Sequence, residues 1–197
     1  MHRKRSETSR KKPWLPFAIL KTICARGAIA AGSIDKKVVR VFDSLIDELW
    51  NEKHPRYRIN YAVRRLRERG WIKLTRGNNG RRYELTTDGQ AALAKYELKQ
   101  KTIAVPKRWD NKWRIVIFDV REKRRACRDA IREALREFGF KHLHDSVWVY
   151  PFKCEDVIEL ARTAYSVRHD AIYLVCDRFH GDEWLAFDFN VGLAPYG

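Results

Sequence analysis

Apolar residues recur at helical spacing through the first hundred positions and then shift to strand-like runs. Beyond Trp14, Phe17, Leu20, Ile23 and Cys24 keep the spacing of one helix face. Gly32 and Ser33 interrupt it, and Ser33 is placed to cap a second helix. There Val38, Val39, Phe42, Leu45, Ile46 and Leu49 follow the i, i+3, i+4, i+7 rule. A third helix is expected over roughly Arg56–Arg69, with Ile59, Ala62, Val63 and Leu66 as its apolar stripe. Gly70 stops it, since the chain needs a left-handed residue there. "WIKLT" and "RRYEL" read as two strands joined by "RGNNG", a hairpin signal. Thr87 is placed to cap a fourth helix through about Gln100.

The order helix, helix, basic helix, hairpin, helix is that of a winged helix-turn-helix. A linker containing Pro106 follows at 101–111. Beyond it the pattern gives a strand (Trp113–Asp119), a helix (about 121–138), a strand or hairpin (about 140–151), a helix (about 154–165) and a strand (Ala171–Cys176). The first of these helices has Cys127, Ala130, Ile131, Ala134, Leu135 and Phe138 on its apolar face. This is the β-α-β-β-α-β order of a ferredoxin-like domain. The expected class is therefore α+β. Residues 1–13 form a disordered basic arm, 14–100 a winged-helix domain, 101–111 a linker and 112–197 a ferredoxin-like dimerisation domain.

Charge sharpens this division. Residues 1–110 hold 27 Lys and Arg against 11 Asp and Glu, a net +16, while residues 111–197 hold 14 of each. All the excess positive charge sits on the first half, the mark of a polyanion-binding module joined to a neutral partner. The four cysteines are scattered and form no CxxC pair, which disfavours a disulfide framework or zinc site and makes them small core residues. "FAILKTICARGAIAAG" is too short and too charged to span a bilayer. A soluble cytoplasmic protein is expected, with no membrane partner.

The basic helix and its hairpin carry the clearest chemistry. A helix presented to the major groove needs an apolar back, bidentate donors for base edges and cations for phosphates. Tyr61, Arg64, Arg65 and Glu68 lie opposite the stripe, with Arg58 and Asn60 on the flanks. Arg76, Arg81 and Arg82 flank the Asn78–Asn79–Gly80 turn, where a wing would meet the DNA backbone. A solvated charged face is the bland reading, and the adjacent hairpin and one-sided charge outweigh it. His142 and His144 share a face but offer two metal ligands at most, so they read as polar turn-side residues.

The stretch "FDVREKRR…LREFGF…SVWV" resembles the small CRISPR-associated ferredoxin-fold protein of spacer acquisition, number two of that system. "PKRWDNKWRIVIFDVREKRR", with the preceding winged helix and "RRYELTTDG", is similar to the PaaX-type repressors of phenylacetate catabolism. The resemblance covers roughly residues 15–180 and implies a DNA-binding transcriptional repressor that is not an enzyme. It also implies a two-fold operator, a homodimer and room for a small-molecule effector, with no cofactor required. The CRISPR-type likeness implies an alternative, a metal-dependent nuclease or DNA-gripping subunit. There Asp119 would face its copy across a dimer axis and hold Mg²⁺. Read from the residues alone, Asp119-Val-Arg-Glu122 is a D-x-x-E capping box that starts the next helix. The capping reading is preferred. For the dimer, Trp148, Trp184 and Phe187 are expected to be apolar surface that one copy leaves uncovered.

Overall fold

A computed structural model describes residues 14–31, 55–77 and 80–192. The expected basic arm, the helix expected between Ser33 and Leu49, and the Asn78–Asn79 turn lie outside them. The chain is α+β, with two antiparallel sheets in two compact units that divide between Leu93 and Ala94. That division falls ahead of the 101–111 segment expected to link the domains.

The first unit contains α1 (Trp14–Arg26), β1 (Ile29–Ala30), α2 (Pro55–Glu68), β2 (Ile72–Gly77), β3 (Gly80–Leu85) and the start of α3 (Thr87–Leu98). Its sheet has the order β1-β3-β2. Leu15, Ile19, Leu20 and Ile23 of α1 meet Ile59, Ala62, Val63 and Leu66 of α2, closed by Ile29, Ile72 and Leu93. Each buried Leu, Ile or Val among them contributes about 1.5–3 kcal/mol by leaving water. Cys24, expected on the buried face, is exposed, and Leu15 and Ile19 hold the core positions instead. The pitch drifts enough over α1 to carry Cys24 past the edge of the buried stripe.

The end of α2 is tied to the hairpin by a dense set of short bonds. Gly70 takes φ +68, its amide donates to the Arg67 carbonyl at 2.9 Å, and the Trp71 amide donates to the Leu66 carbonyl at 2.9 Å. That bond pair is a Schellman closure. The Thr86 hydroxyl donates to the Gly70 carbonyl at 2.6 Å and accepts from the Gly89 amide at 3.0 Å. Thr86, one residue earlier than expected, is thus the cap of α3, because its hydroxyl alone reaches both groups. A Cβ on Gly89 would lie 1.9 Å from the Trp71 carbonyl oxygen, so only glycine permits this approach.

The second unit contains β4 (Trp113–Phe118), a 3₁₀ turn (Glu122–Arg124), α4 (Arg125–Glu137), β5 (Lys141–His144), β6 (Val147–Tyr150), α5 (Glu155–Ala164), β7 (Ala171–Cys176) and α6 (Glu183–Asp188). Its sheet order is β5-β6-β4-β7, with β4 central and β7 at an edge. Alternation assigns the two faces. Val116, Phe118, Trp148 and Tyr150 pack on Ile131, Ala134 and Leu135 of α4 and on Val157 and Ile158 of α5. Trp113 and Val149 pack on Leu185 and Ala186 of α6. Trp148 is 1% exposed, so it is core rather than the uncovered surface expected of it; Trp184 and Phe187 are exposed. The helix α6 is short and was not visible in the apolar pattern.

Two ion pairs, each with one buried partner, brace this unit. Arg114, 2% exposed, donates to both oxygens of Asp110 at 2.7 and 2.6 Å and to the Pro151 carbonyl at 2.9 Å. Asp182, wholly buried, accepts from the Trp113 indole at 2.9 Å and from Arg178 at 2.7 and 2.9 Å. The Trp109 indole donates to the Pro151 carbonyl at 2.7 Å. The distinctive "RWDNKWR" is therefore a structural brace.

Candidate nucleic-acid interface

Helix α2 owes its place to a two-sided sequence. Ile59, Ala62, Val63 and Leu66 are buried, while Asn60, Tyr61, Arg64, Arg65 and Arg67 are exposed and Arg58 is half-buried. Tyr57, not singled out from sequence, and Glu68, expected opposite the stripe, complete the exposed side. Tyr57 is 70% exposed and stacks on Tyr61 with ring centroids 6.4 Å apart. Glu68 accepts from Arg64 Nε at 2.8 Å and from Arg65 Nη1 at 3.3 Å. Both were legible as i, i+4 and i, i+3 spacings, the neighbour positions of a helix surface. The Arg64 hydrogen bond holds the Glu68 carboxyl below its ordinary range, and the same bond raises Arg64.

The hairpin adds a second basic strip. Arg76 pairs directly with Arg81 across the strands, and Thr75 with Arg82. A Cβ on Gly77 would lie 3.0 Å from Arg82 Nε, so the bare Gly77 backbone makes room for that guanidinium. Lower on the hairpin Glu84 takes Lys73 at 3.5 Å and the Thr75 hydroxyl at 2.9 Å. Among the described residues no acid pairs with Arg76, Arg81 or Arg82. The Gly70–Trp71 and Thr86–Gly89 contacts join the end of α2 to the base of this hairpin. The two basic strips are thus parts of one scaffold. Such a surface can set cations against phosphates and offer guanidinium forks and tyrosine rings to base edges.

Asp119 differs from its expected role. The 3₁₀ turn starts at Glu122 with Arg121 at its N-cap, and α4 starts at Arg125; neither start has a side-chain cap. Glu122 pairs with Arg128 at 2.9 Å instead of reaching back. The capping box fails because Val120 and an extended Arg121 separate Asp119 from the first turn. Asp119 is exposed, its amide donates to the Asp170 carbonyl at 2.8 Å, and among the described residues its carboxylate takes no hydrogen bond or ion pair. The neighbouring Asp170 is held by Arg124 at 3.1 Å. No group of three or more His, Cys, Asp or Glu side chains among the described residues is placed to hold a metal. His142 and His144 are both exposed on β5, and His142 lies against Trp148.

Cys154 is buried, and that burial pushes its thiol up to about 12. No described helix is long and apolar enough to cross a membrane. Residues 106–185 match the model of the central Cas2-like domain of PaaX proteins. No curated protein matches the chain.

Proposed function

On the premise that residues 106–185 are a PaaX-type Cas2-like domain, we propose that the protein is a DNA-binding transcriptional regulator, a repressor acting as a homodimer on a two-fold operator. The first unit is read as a winged helix-turn-helix, with α2 as the recognition helix and the β2–β3 hairpin as the wing. The observation that carries this reading is the sidedness of α2. Its stripe from Ile59 to Leu66 is spent on the core, and its opposite side presents Tyr61, Arg64 and Arg65 to solvent beside a hairpin whose Arg76, Arg81 and Arg82 meet no acid among the described residues. Arg58, Asn60, Arg76, Arg81 and Arg82 are the supporting contacts. The second unit is read as a ferredoxin-like dimerisation domain. The exposed Ile172, Leu174 and Val175 on the edge strand β7, with Trp184 and Phe187 on α6, support pairing of two copies. Pairing would set two recognition helices about one helical turn apart.

No chemistry on DNA is assigned to the protein, and no cofactor. The alternative, cleavage through Mg²⁺ at Asp119, draws on one observation, that this carboxylate is exposed and is not used as a cap. A salt titration of full-length protein on duplex DNA tests the binding reading. With six to eight phosphates neutralised, log K against log salt should fall with a slope of roughly −5 to −7. A slope shallower than about −2 would remove a DNA surface of this extent.

A further inference from the structure

The exposed side of α2 is ordered along its length. At about 100° per residue, Tyr57, Tyr61, Arg64 and Glu68 fall within about 60° of one another, opposite the buried stripe. They touch in sequence: Tyr57 stacks on Tyr61, and Arg64 is bonded to Glu68. Glu68 is the misfit in this row. It stands in the last turn of the helix, where the backbone dipole opposes a negative charge. On a surface that meets phosphates it also repels the ligand. It is exposed and buries nothing. What it does is hold two guanidiniums, and it holds them differently.

Arg64 gives Glu68 its inner Nε, leaving both terminal nitrogens with their outward N–H bonds on a side chain 77% exposed. Such a fork matches the O6 and N7 acceptors of guanine. Arg65 gives a terminal nitrogen, so half of its fork is already taken. We propose that Arg64 reads a guanine edge, that Glu68 is its positioning residue, and that Arg65 serves the backbone instead. This inference rests on the reading of α2 as the DNA-facing helix.

The test uses full-length protein and a duplex selected by it from a random pool. Each guanine is replaced in turn by 7-deazaguanine, which lacks the N7 acceptor. The wild type should lose about tenfold or more at one guanine per half-site. Arg64→Ala should show no penalty there, and Arg65→Ala should keep it. Glu68→Ala should lose most of the penalty while its affinity for random duplex stays level or rises. Glu68→Gln, which keeps an acceptor for Nε, should restore most of it. A penalty that survives in Arg64→Ala, moves to Arg65→Ala, or is untouched in Glu68→Ala overturns the assignment while leaving DNA binding intact. A wild type that binds no duplex at all would remove the DNA reading and this inference together.

Discussion

Arg76 and Arg81 stand directly opposite one another in the β2–β3 hairpin, two like charges in one cross-strand pair. Such a pair is destabilising in the free protein. An anion placed between the two arginines would relieve it. Arg81→Thr should therefore raise stability by about 0.2–1 kcal/mol, read from the thermal midpoint. It should also weaken binding to all DNA sequences about equally and make the salt slope shallower by about one. A variant that is both less stable and unaltered in binding would contradict this role.

Gly89 should be intolerant of any side chain. Its Cβ would meet the Trp71 carbonyl at 1.9 Å, and that carbonyl also accepts from the Thr86 amide. Gly89→Ala should cost about 1–3 kcal/mol or more in overpacking. Because the same contacts set the hairpin against α2, DNA affinity should fall as well, although Gly89 touches no ligand. Equal melting temperatures for wild type and variant would sink the prediction.

Acid should weaken the second unit in a defined range. Hydrogen bonds from Arg114 hold Asp110 below the ordinary carboxylate range. Burial alone would raise Asp182, but hydrogen bonds from Arg178 and Trp113, with the charge of Arg178, outweigh it and hold Asp182 low as well. Both carboxylates are lowered in the folded state. Their contribution is therefore present in full above the unfolded value of about 3.9 and is lost as the pH falls through the lower folded values. Stability followed by tryptophan fluorescence should be level from about pH 7 to 5 and drop below about 4. Asp182→Asn should cost about 1.5–3 kcal/mol at neutral pH, because it removes the buried charge that accepts from both Arg178 and Trp113. A level profile down to pH 3 would show that these pairs do not brace the fold.

Asp119 should be thermodynamically quiet. Since it caps nothing, Asp119→Asn and Asp119→Ala should each change stability by less than about 0.5 kcal/mol, and DNA binding should survive both. Duplex DNA and RNA should remain intact with the wild type in Mg²⁺ or Mn²⁺. Turnover that disappears in Asp119→Asn, with the fold unchanged, would establish the nuclease alternative.

Much of this arrangement can be read from local pattern. Gly70 after an amphipathic run marks the end of α2, and "RGNNG" between two apolar strands marks the hairpin. The bounds of β7 agree with the apolar run from Ala171 to Cys176. What local pattern misses is set by partners distant in the chain. Asp119 has the spacing of a capping box, yet its amide is engaged by the Asp170 carbonyl at the start of β7, and the chain stays extended past it. Trp148 is surface-like by its place near a turn, but the helix face of the sheet buries it between α4 and α5. The six-residue α6 is too short to show a period, and it is fixed by distant partners such as the Trp113–Asp182 bond, the Lys141–Asp188 pair and the packing of Leu185. In the candidate interface the arginines are legible one by one. Their pairing through Glu68 depends on rotamers that spacing permits but does not impose.

Selection of bound duplexes from a random DNA pool by full-length protein, followed by sequencing, bears most directly on the role of α2. A recognition helix in each of two copies predicts an enriched inverted repeat with half-site centres about one helical turn, roughly 10 base pairs, apart. Arg64→Ala should lose the enrichment at the guanine of each half-site. A pool that stays unenriched, or an enriched site left unchanged by Arg64→Ala, would contradict sequence reading by this helix.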